Sequence, residues 1–151
     1  MEWLAALEQS RLAGALKASF YVYPLINAGH VLAIGFLVTT VTLIDLRVLA
    51  ILPARAVPSA TLLRRLAIGA LLVAAATGLS MFAIRASDYA AMGVFRLKLV
   101  LIALAAFNFV LFAVLFRGRS DPSGPLAAGL AATSLALWLG VLLAGRFIAF
   151  V

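Results

Sequence analysis

The chain of 151 residues contains no cysteine, a single histidine and only five acidic side chains. Without cysteine it can form no disulfide, no thiolate metal site, no thiol nucleophile and no c-type haem attachment. Three methionines and one histidine are also too few for a dedicated copper conduit, which uses several soft or imidazole ligands. A glycine-rich phosphate loop, a Ser-His-Asp set and a pair of neighbouring carboxylates are missing from the sequence too. These absences direct attention to non-covalent chemistry at the one imidazole.

Charged residues are scarce as well: they make up 11% of the chain, against roughly 25% in soluble domains, and 66% of the chain is hydrophobic. Four long stretches carry no charged side chain, at 18–44, 66–84, 99–116 and 122–145. Each stretch reaches or nearly reaches the roughly 20 apolar residues that a helix needs to cross a bilayer. The sequence therefore predicts an all-α integral membrane protein, a four-helix transmembrane bundle in contact with the lipid bilayer.

Local signals set the expected limits of the four spans, at 24–52, 60–85, 94–116 and 126–150. Pro24 suits the opening turn of the first span. That span should stop before Pro53, because the residue before a proline resists helical dihedral angles. It is longer than the bilayer requires, so its far end, with Asp45 and Arg47, should tilt or project into water. The spans and short loops use the whole length, which predicts a single transmembrane domain over residues 1–151.

The segment before the first span is interrupted by four charged side chains, Glu2, Glu8, Arg11 and Lys17. It is therefore not expected to be a cleaved signal, which needs a continuous apolar core. We expect residues 2–18 to form a short interfacial helix on the membrane surface, with Trp3 as its anchor. At the start of the second span, Ser59 is a plausible N-cap.

The formal net charge is +7, but the basic residues lie at the ends of apolar runs and form no cluster. This is the usual placement around spanning helices and argues against nucleic acid as a partner. The two sides of the membrane carry equal numbers of basic residues, but Lys98 and Arg146 are expected to be partly embedded and therefore to count less. The compact basic loop at 47–65 favours the cytoplasm, which would leave both termini in the periplasm.

Small residues recur every four positions in two spans. They are Ala70, Ala74 and Gly78 in the second span, and Ala128, Ala132, Ala136, Gly140 and Ala144 in the fourth. Such stripes let helix backbones approach closely, which drives association in lipid. We interpret them chiefly as helix contacts within one bundle, and contact between subunits of a homo-oligomer is the alternative.

His30 lies inside the first span, where an ionisable side chain is costly and usually faces the bundle interior. Tyr23, Asn27 and His30 follow one another at four- and three-residue steps and share a helix face. The histidine end of that face is expected to turn inward. One interpretation is a neutral histidine that is hydrogen-bonded to a neighbouring helix and holds the bundle together.

The topology predicts that several polar side chains gather at one end of the bundle. The first and third spans run in parallel, so their N-terminal ends share a side with the C-terminal ends of the second and fourth. The side chains placed there are His30, Arg85, Arg96, Lys98 and Arg146, with Met81 and Tyr89 beside them. Trp138 is expected to lie deeper. For Lys98, snorkelling to the interface is the structural alternative.

An imidazole below a ring of cations suits a planar ligand with acidic tails, and haem b is the simplest candidate cofactor. His30 would ligate the metal, and Arg85, Arg96 and Arg146 would pair with the propionates. The second axial ligand stays open between Lys98, which would have to be neutral, and Met81. Asp45 and Asp88 are predicted to lie on opposite sides of the bilayer, so they cannot act together.

Nearly the whole chain resembles a family of small uncharacterised bacterial inner-membrane proteins. The segments that carry the resemblance are MEWLAALEQS, YVYPLINAGHVLAIGFL, LIDLRVLA, ATGLSMFAIRASDY, FRLKLVLIALAAFN and GRFIAF. More distantly, the four-span plan is similar to the copper-resistance protein D family and to the HemJ-type protoporphyrinogen oxidases. In the latter, a first-span histidine and a lysine opening the third span are functional and associated with haem, and His30 and Lys98 match these positions. The resemblance implies a location in the bacterial inner membrane.

Three functional hypotheses follow. The first is a b-type haem site that serves electron transfer, with a redox partner, or a porphyrin-linked oxidation, which would make the protein a haem-dependent membrane oxidoreductase. The second is a non-catalytic membrane scaffold or anchor subunit without a cofactor. The third is permeation of a metal or small solute past His30, which four short spans could support only through oligomerisation.

Overall fold

The structure, a computed structural model, describes residues 2–119 and 122–150. The described part of the chain folds into α-helices and two short 3₁₀ turns, without a β-strand. The seven α-helices are α1 (Glu2–Glu8), α2 (Arg11–Ala18), α3 (Val22–Val48), α4 (Ala60–Ile84), α5 (Ala86–Ala91), α6 (Gly93–Leu115) and α7 (Pro125–Phe147).

Four of these helices, α3, α4, α6 and α7, are long and apolar enough to cross a membrane. α3 packs against α4 and α7, and α7 packs against α6. Their outer faces carry large apolar side chains such as Leu32 and Phe107, which are 70% and 66% exposed. Such exposure fits lipid contact. The prediction of an all-α, four-span membrane protein is confirmed.

A small core holds the bundle together at its centre. It consists of Leu37 on α3, Ala67 on α4, Ala105 on α6, and Trp138 and Val141 on α7. Three of the five side chains are larger than alanine, and the two alanines let the helices approach one another. Trp138 therefore lies deep in the bundle, as the sequence predicts.

α3 ends at Val48, four residues earlier than predicted. The Ile51 N–H donates to the Leu46 carbonyl and the Ala50 N–H to the Arg47 carbonyl, while Ala50 adopts a left-handed φ of 57°. This is the Schellman pattern that closes many helices, although glycine usually holds the left-handed position. The alanine there gave no stop signal, so only Pro53 was recognised as a helix terminator.

The N-terminal segment lies against α4 and α5 as two short helices, α1 and α2, whereas the sequence predicts one. Ser10 separates them, because its Oγ accepts the Ala13 N–H at 3.2 Å and caps α2. Trp3 is 61% exposed, as an interfacial anchor would be. The predicted cap at Ser59 is present in the same form, with its Oγ accepting the Leu62 N–H at 3.3 Å.

The connections before and after α6 have different structures: the first contains a short helix and the second is a turn. Between the predicted second and third spans, which end at 85 and begin at 94, the chain forms the short helix α5. Between the third and fourth spans the described residues form a turn, with Gly118 and Gly124 at left-handed φ values of 80° and 102°. Pro125 then occupies the first turn of α7, a position that suits it. Ser120 and Asp121 lie outside the described residues.

The small-residue stripes contribute to packing over part of their length. On α4, Ala74 is buried, and Gly78 lies against α3. On α7, a methyl group placed on Gly140 would lie 3.3 Å from Leu101 Cδ1 of α6. Ala132 and Ala136 of the same stripe are exposed. The prediction of contacts within the bundle is therefore correct for α4 and for the C-terminal half of α7.

Candidate functional site

His30 reaches from α3 to α4. Its Nδ1 lies 2.9 Å from the Oγ1 of Thr77. The Thr77 hydroxyl donates its own hydrogen within α4, to the Val73 carbonyl at 2.7 Å, so its oxygen is left to accept the Nδ1–H. The neutral ring therefore carries its proton on Nδ1 and presents Nε2 as a lone pair.

The imidazole lies against α4 at Gly78. A methyl group placed on Gly78 would lie 3.0 Å from His30 Cε1 and 3.6 Å from Nδ1, so a larger residue there requires the ring to shift by a few tenths of an ångström. The ring also interacts with the backbone of Ala74, one turn earlier. The interhelical hydrogen bond expected of a structural histidine is thus present, and it fixes the orientation of the ring.

Lys98 lies on α6, half-buried, with its amine beside α7. A methyl group placed on Gly145 would lie 3.3 Å from Lys98 Nζ and 3.5 Å from Cε. The ammonium is close enough to His30 to act on it electrostatically. His30 and Lys98 therefore lie at the same end of the bundle, within electrostatic range of one another, on helices that run in parallel.

The three arginines lie at the same end but remain exposed and engage local partners. Arg85 Nε is 3.3 Å from Asp88 Oδ2, in a pair whose side chains are 72% and 60% exposed. Arg96 Nη2 donates to the Ala91 carbonyl at 3.5 Å, and the Arg146 guanidinium lies 4.8 Å from the centre of the Phe150 ring. Exposed contacts of this kind stabilise by about 1 kcal/mol or less. Each arginine can therefore exchange its partner for an anionic ligand.

At this end of the bundle, aromatic rings pack against one another between α4, α5 and α6. Phe82 and Phe95 stack with centroids 5.4 Å apart, and Tyr89 lies 5.6 Å from Phe95. Burial and a hydrogen bond with Tyr23 raise the pKa of Tyr89 above its ordinary value of 10.0. Beside this cluster, an open groove of about 510 Å³ is lined by residues that include Arg85, Tyr89 and Met92.

The polar face Tyr23–Asn27–His30 does not act as one unit. Tyr23 contacts Tyr89, His30 turns inward, and Asn27 is exposed. Met81 is half-buried and lies four residues after Thr77, on the same face of α4 and one turn nearer the membrane surface. It is therefore placed on the side of α4 that faces His30.

At the C-terminal end of α3, the prediction for Asp45 is wrong. Asp45 was expected to project into water, but it is 7% exposed and lies among α3, α4, α6 and α7. The early end of α3 explains the difference, because the chain turns back before the last helical residues leave the bundle. The structure separates Asp45 from His30 by 15 residues of α3, about 22 Å along the axis.

Sequence reasoning missed Thr77 as the partner of His30 and Ser134 as a partner of Asp45. Both are hydroxyl residues in apolar runs, and a polar side chain at membrane depth is itself a signal. Gly78 was recognised as a packing residue, and the structure shows that the group it accommodates is the imidazole.

The residues of this end fit haem b in their donor chemistry. A metal-ligating histidine usually donates its other ring N–H to a fixed acceptor, as His30 does to Thr77. Among residues 2–119 and 122–150, no three His, Asp or Glu side chains gather around a common point. A metal held by His30 would therefore need most of its ligands from elsewhere, and a porphyrin supplies four.

A comparison of the chain with protein-family models, with curated proteins and with solved structures found no match.

Proposed function

We propose that this multi-pass membrane protein binds haem b at the end of the bundle that carries His30 and Lys98, and that His30 Nε2 would ligate its iron. The observation that supports this most is the Nδ1–Thr77 hydrogen bond, which leaves Nε2 as the ring nitrogen with a lone pair for a metal. Lys98 acts as the second ligand or as a charged neighbour of the cofactor, with Met81 as the other axial donor.

Haem bound here would supply one-electron transfer, either to a redox partner or in a porphyrin-linked oxidation. The chain contributes orientation and charge. Thr77 fixes the tautomer and the plane of the imidazole, and Gly78 provides the space for the ring. The positive charge of Lys98 favours the reduced, less positive state of a metal centre beside it.

The arginines at the membrane surface would bind the propionates of the haem. Arg85, Arg96 and Arg146 lie at the correct end, and their present partners are exposed and weak. Arginine is well suited to carboxylates because its planar guanidinium can donate two parallel hydrogen bonds. The proposal places this end at the periplasmic face of a bacterial inner membrane, in keeping with the basic loop after α3 on the cytoplasmic side.

The test is an absorption spectrum of the full chain purified in detergent, before and after addition of haem. The wild type should show a Soret band that His30→Ala abolishes. Asn27→Ala is the matched control, because Asn27 is exposed on the same helix less than one turn away. Colourless wild-type protein without affinity for added haem would reject the proposal.

The second candidate is a scaffold or anchor subunit without a cofactor. It is favoured by the packing of the imidazole against Gly78, which by itself joins α3 to α4. In that case His30→Asn, which keeps a hydrogen-bonding side chain, should leave assembly intact. A bulky change at Gly140, against Leu101 of α6, should disrupt it.

A further inference from the structure

A second cavity, of about 140 Å³, lies at the opposite end of the bundle from His30. All four spanning helices contribute to it. Its polar lining comes from Asp45 on α3, Arg64 on α4, Asn108 on α6 and Ser134 on α7, and the rest of its wall is mainly apolar. Its mouth is partly open.

The carboxylate of Asp45 is incompletely satisfied in this cavity. Asp45 is 7% exposed, and one oxygen interacts with the Ser134 hydroxyl. The other oxygen, Oδ2, is buried and has no hydrogen-bond partner within the described ranges 2–119 and 122–150. Leaving a buried carboxylate oxygen without a donor is costly, since the desolvation is uncompensated. An occupant that donates to Oδ2 would remove that cost.

The surrounding groups narrow the chemistry of such an occupant. Asn108 donates its Nδ2 to the Leu130 carbonyl at 3.1 Å and makes no hydrogen bond to Asp45 Oδ2. Three aromatic side chains line the same cavity, Phe109, Phe112 and Trp138. The faces of aromatic rings attract cations. Binding is most favourable for a cation that also carries an apolar group, because the apolar part of the cavity wall can cover that group. A carboxylate among aromatic rings is thus complementary to a protonated amine.

We propose that this cavity is a binding site for a small lipophilic primary amine, whose ammonium group donates to Asp45 Oδ2. The volume of about 140 Å³ is close to the roughly 150 Å³ that holds a benzene ring, and the partly open mouth leaves room for a short side chain. Arg64, whose guanidinium lies 5.8 Å from the centre of the Phe112 ring, sets a limit on affinity through like-charge repulsion. Several water molecules are the competing occupant.

The binding test uses Trp138 as the reporter. The chain has two tryptophans, so Trp3→Phe leaves only the one that lines the cavity. The protein in detergent is titrated with 2-phenylethylamine and, separately, with 2-phenylethanol, a neutral ligand of nearly the same shape. We expect saturable change in Trp138 emission with the amine and much weaker binding of the alcohol. Equal response to both ligands, or no saturable response, would overturn the proposal.

Asp45→Asn should weaken amine binding by roughly tenfold or more while leaving the weak alcohol binding unchanged, because it removes a charge-assisted hydrogen bond. Asp88→Asn is the matched control, the same change at an exposed aspartate of the other end, and should have no effect. Arg64→Gln should strengthen amine binding by roughly two- to fivefold. Unchanged amine affinity in Asp45→Asn would reject the site.

If Asp45→Asn fails to fold, Ala106→Leu decides the question. Ala106 lines the cavity but is otherwise exposed, so a larger side chain there narrows the cavity without crowding the core. Amine affinity should fall, and an unchanged affinity would count against the proposal. The site is independent of the haem proposal, because either the spectral or the fluorescence result can fail without the other.

Discussion

His30 Nδ1 and Thr77 Oγ1 lie 2.9 Å apart and join α3 to α4. The geometry assigns the donor to the imidazole, because the threonine hydrogen is used inside α4. One hydrogen bond thus contributes to helix packing and also fixes which ring nitrogen is free. This dual role makes Thr77 the most informative position for mutation.

Replacing Thr77 by valine removes the acceptor at almost constant shape. We expect the free energy of unfolding to fall by about 1 kcal/mol, a usual value for interhelical hydrogen bonds in membranes. Haem affinity should fall by roughly tenfold or more, because the ring loses its orientation. Detergent-denaturation curves and haem titrations measure the two effects. Ser80→Ala is the control, since the Ser80 hydroxyl donates only to Ala76 of its own helix. An equal loss in both variants would contradict the role of Thr77.

Gly78→Ala should displace the imidazole. The added methyl group would lie 3.0 Å from His30 Cε1, closer than ordinary van der Waals contact, so the ring or α4 must shift. We expect a loss of about 1 kcal/mol or more in unfolding free energy and weakened haem binding. Gly69→Ala adds the same methyl group to α4 where nothing lies within 4 Å, and it should be neutral or slightly stabilising. Equal stability of the two variants would show that the ring has room to move.

Acidification should loosen α1 from the bundle. The Ser87 N–H donates to Glu8 Oε1 at 2.7 Å, and this bond, helped by Lys17, holds the pKa of Glu8 below its ordinary value of 4.5. A lowered pKa in the folded state stabilises the docked form above pH 4.5, and that contribution disappears as the pH falls through the lowered value. The protection of α1 amides against hydrogen exchange, taken relative to the intrinsic rate at each pH, should therefore fall below pH 4.5.

Glu8→Ala should remove this pH dependence and raise exchange at neutral pH. Glu2→Ala, in the first turn of the same helix, should keep the wild-type profile. If the Glu8 variant still shows the acid transition, another group is responsible for it.

Asp45→Asn should stabilise the protein in the absence of ligand. The substitution removes a buried charge with an unpartnered oxygen, placed one turn before the C-terminus of α3, where the helix dipole also opposes negative charge. We expect a gain of about 1–2 kcal/mol in unfolding free energy. Detergent-denaturation midpoints measure it, with Asp88→Asn as an exposed reference. A loss of stability would mean that Asp45 is satisfied by a group bound in the purified protein.

Ala50→Gly should also stabilise the chain. Ala50 holds the left-handed position at the end of α3 with a φ of 57°, a conformation that costs an L residue about 1 kcal/mol. Glycine adopts it freely, so we expect a gain of roughly 0.5–1 kcal/mol. Ala56→Gly, in the next turn and without a left-handed φ, should lower stability slightly. The same denaturation curves compare the two.

The overall architecture could be predicted because hydrophobic length decides it. Uncharged stretches of sufficient length become spanning helices whatever their neighbours are, and capping residues such as Ser59 act locally. The predicted helix limits were wrong at the end of α3, where an alanine, Ala50, holds the left-handed position that glycine usually occupies. They also left out the short helix α5, which a neighbouring segment stabilises. The bond from Ser87 to Glu8, 79 residues earlier, is part of that stabilisation.

The sequence predicted which residues lie at the end of the bundle that holds the candidate site, but not the contacts that these residues make. Chain direction alone placed His30 and Lys98 at one end of the bundle, since alternate spans run in parallel. The rotation of each helix about its own axis is not encoded in a mostly apolar sequence, where every face is hydrophobic. Asn27 could therefore be grouped with His30, and Asp45 could be expected in water, although the structure shows the reverse for both.

The sequence by itself determined that this chain crosses a membrane four times and carries its only imidazole within the first span, because transfer into hydrocarbon depends on composition and length. Tertiary structure alone decided which side chains meet: Thr77 with His30, Gly145 with Lys98, and Ser134 with Asp45. These contacts depend on helix rotation and close approach, which are set by the fit of small and large residues between neighbouring helices.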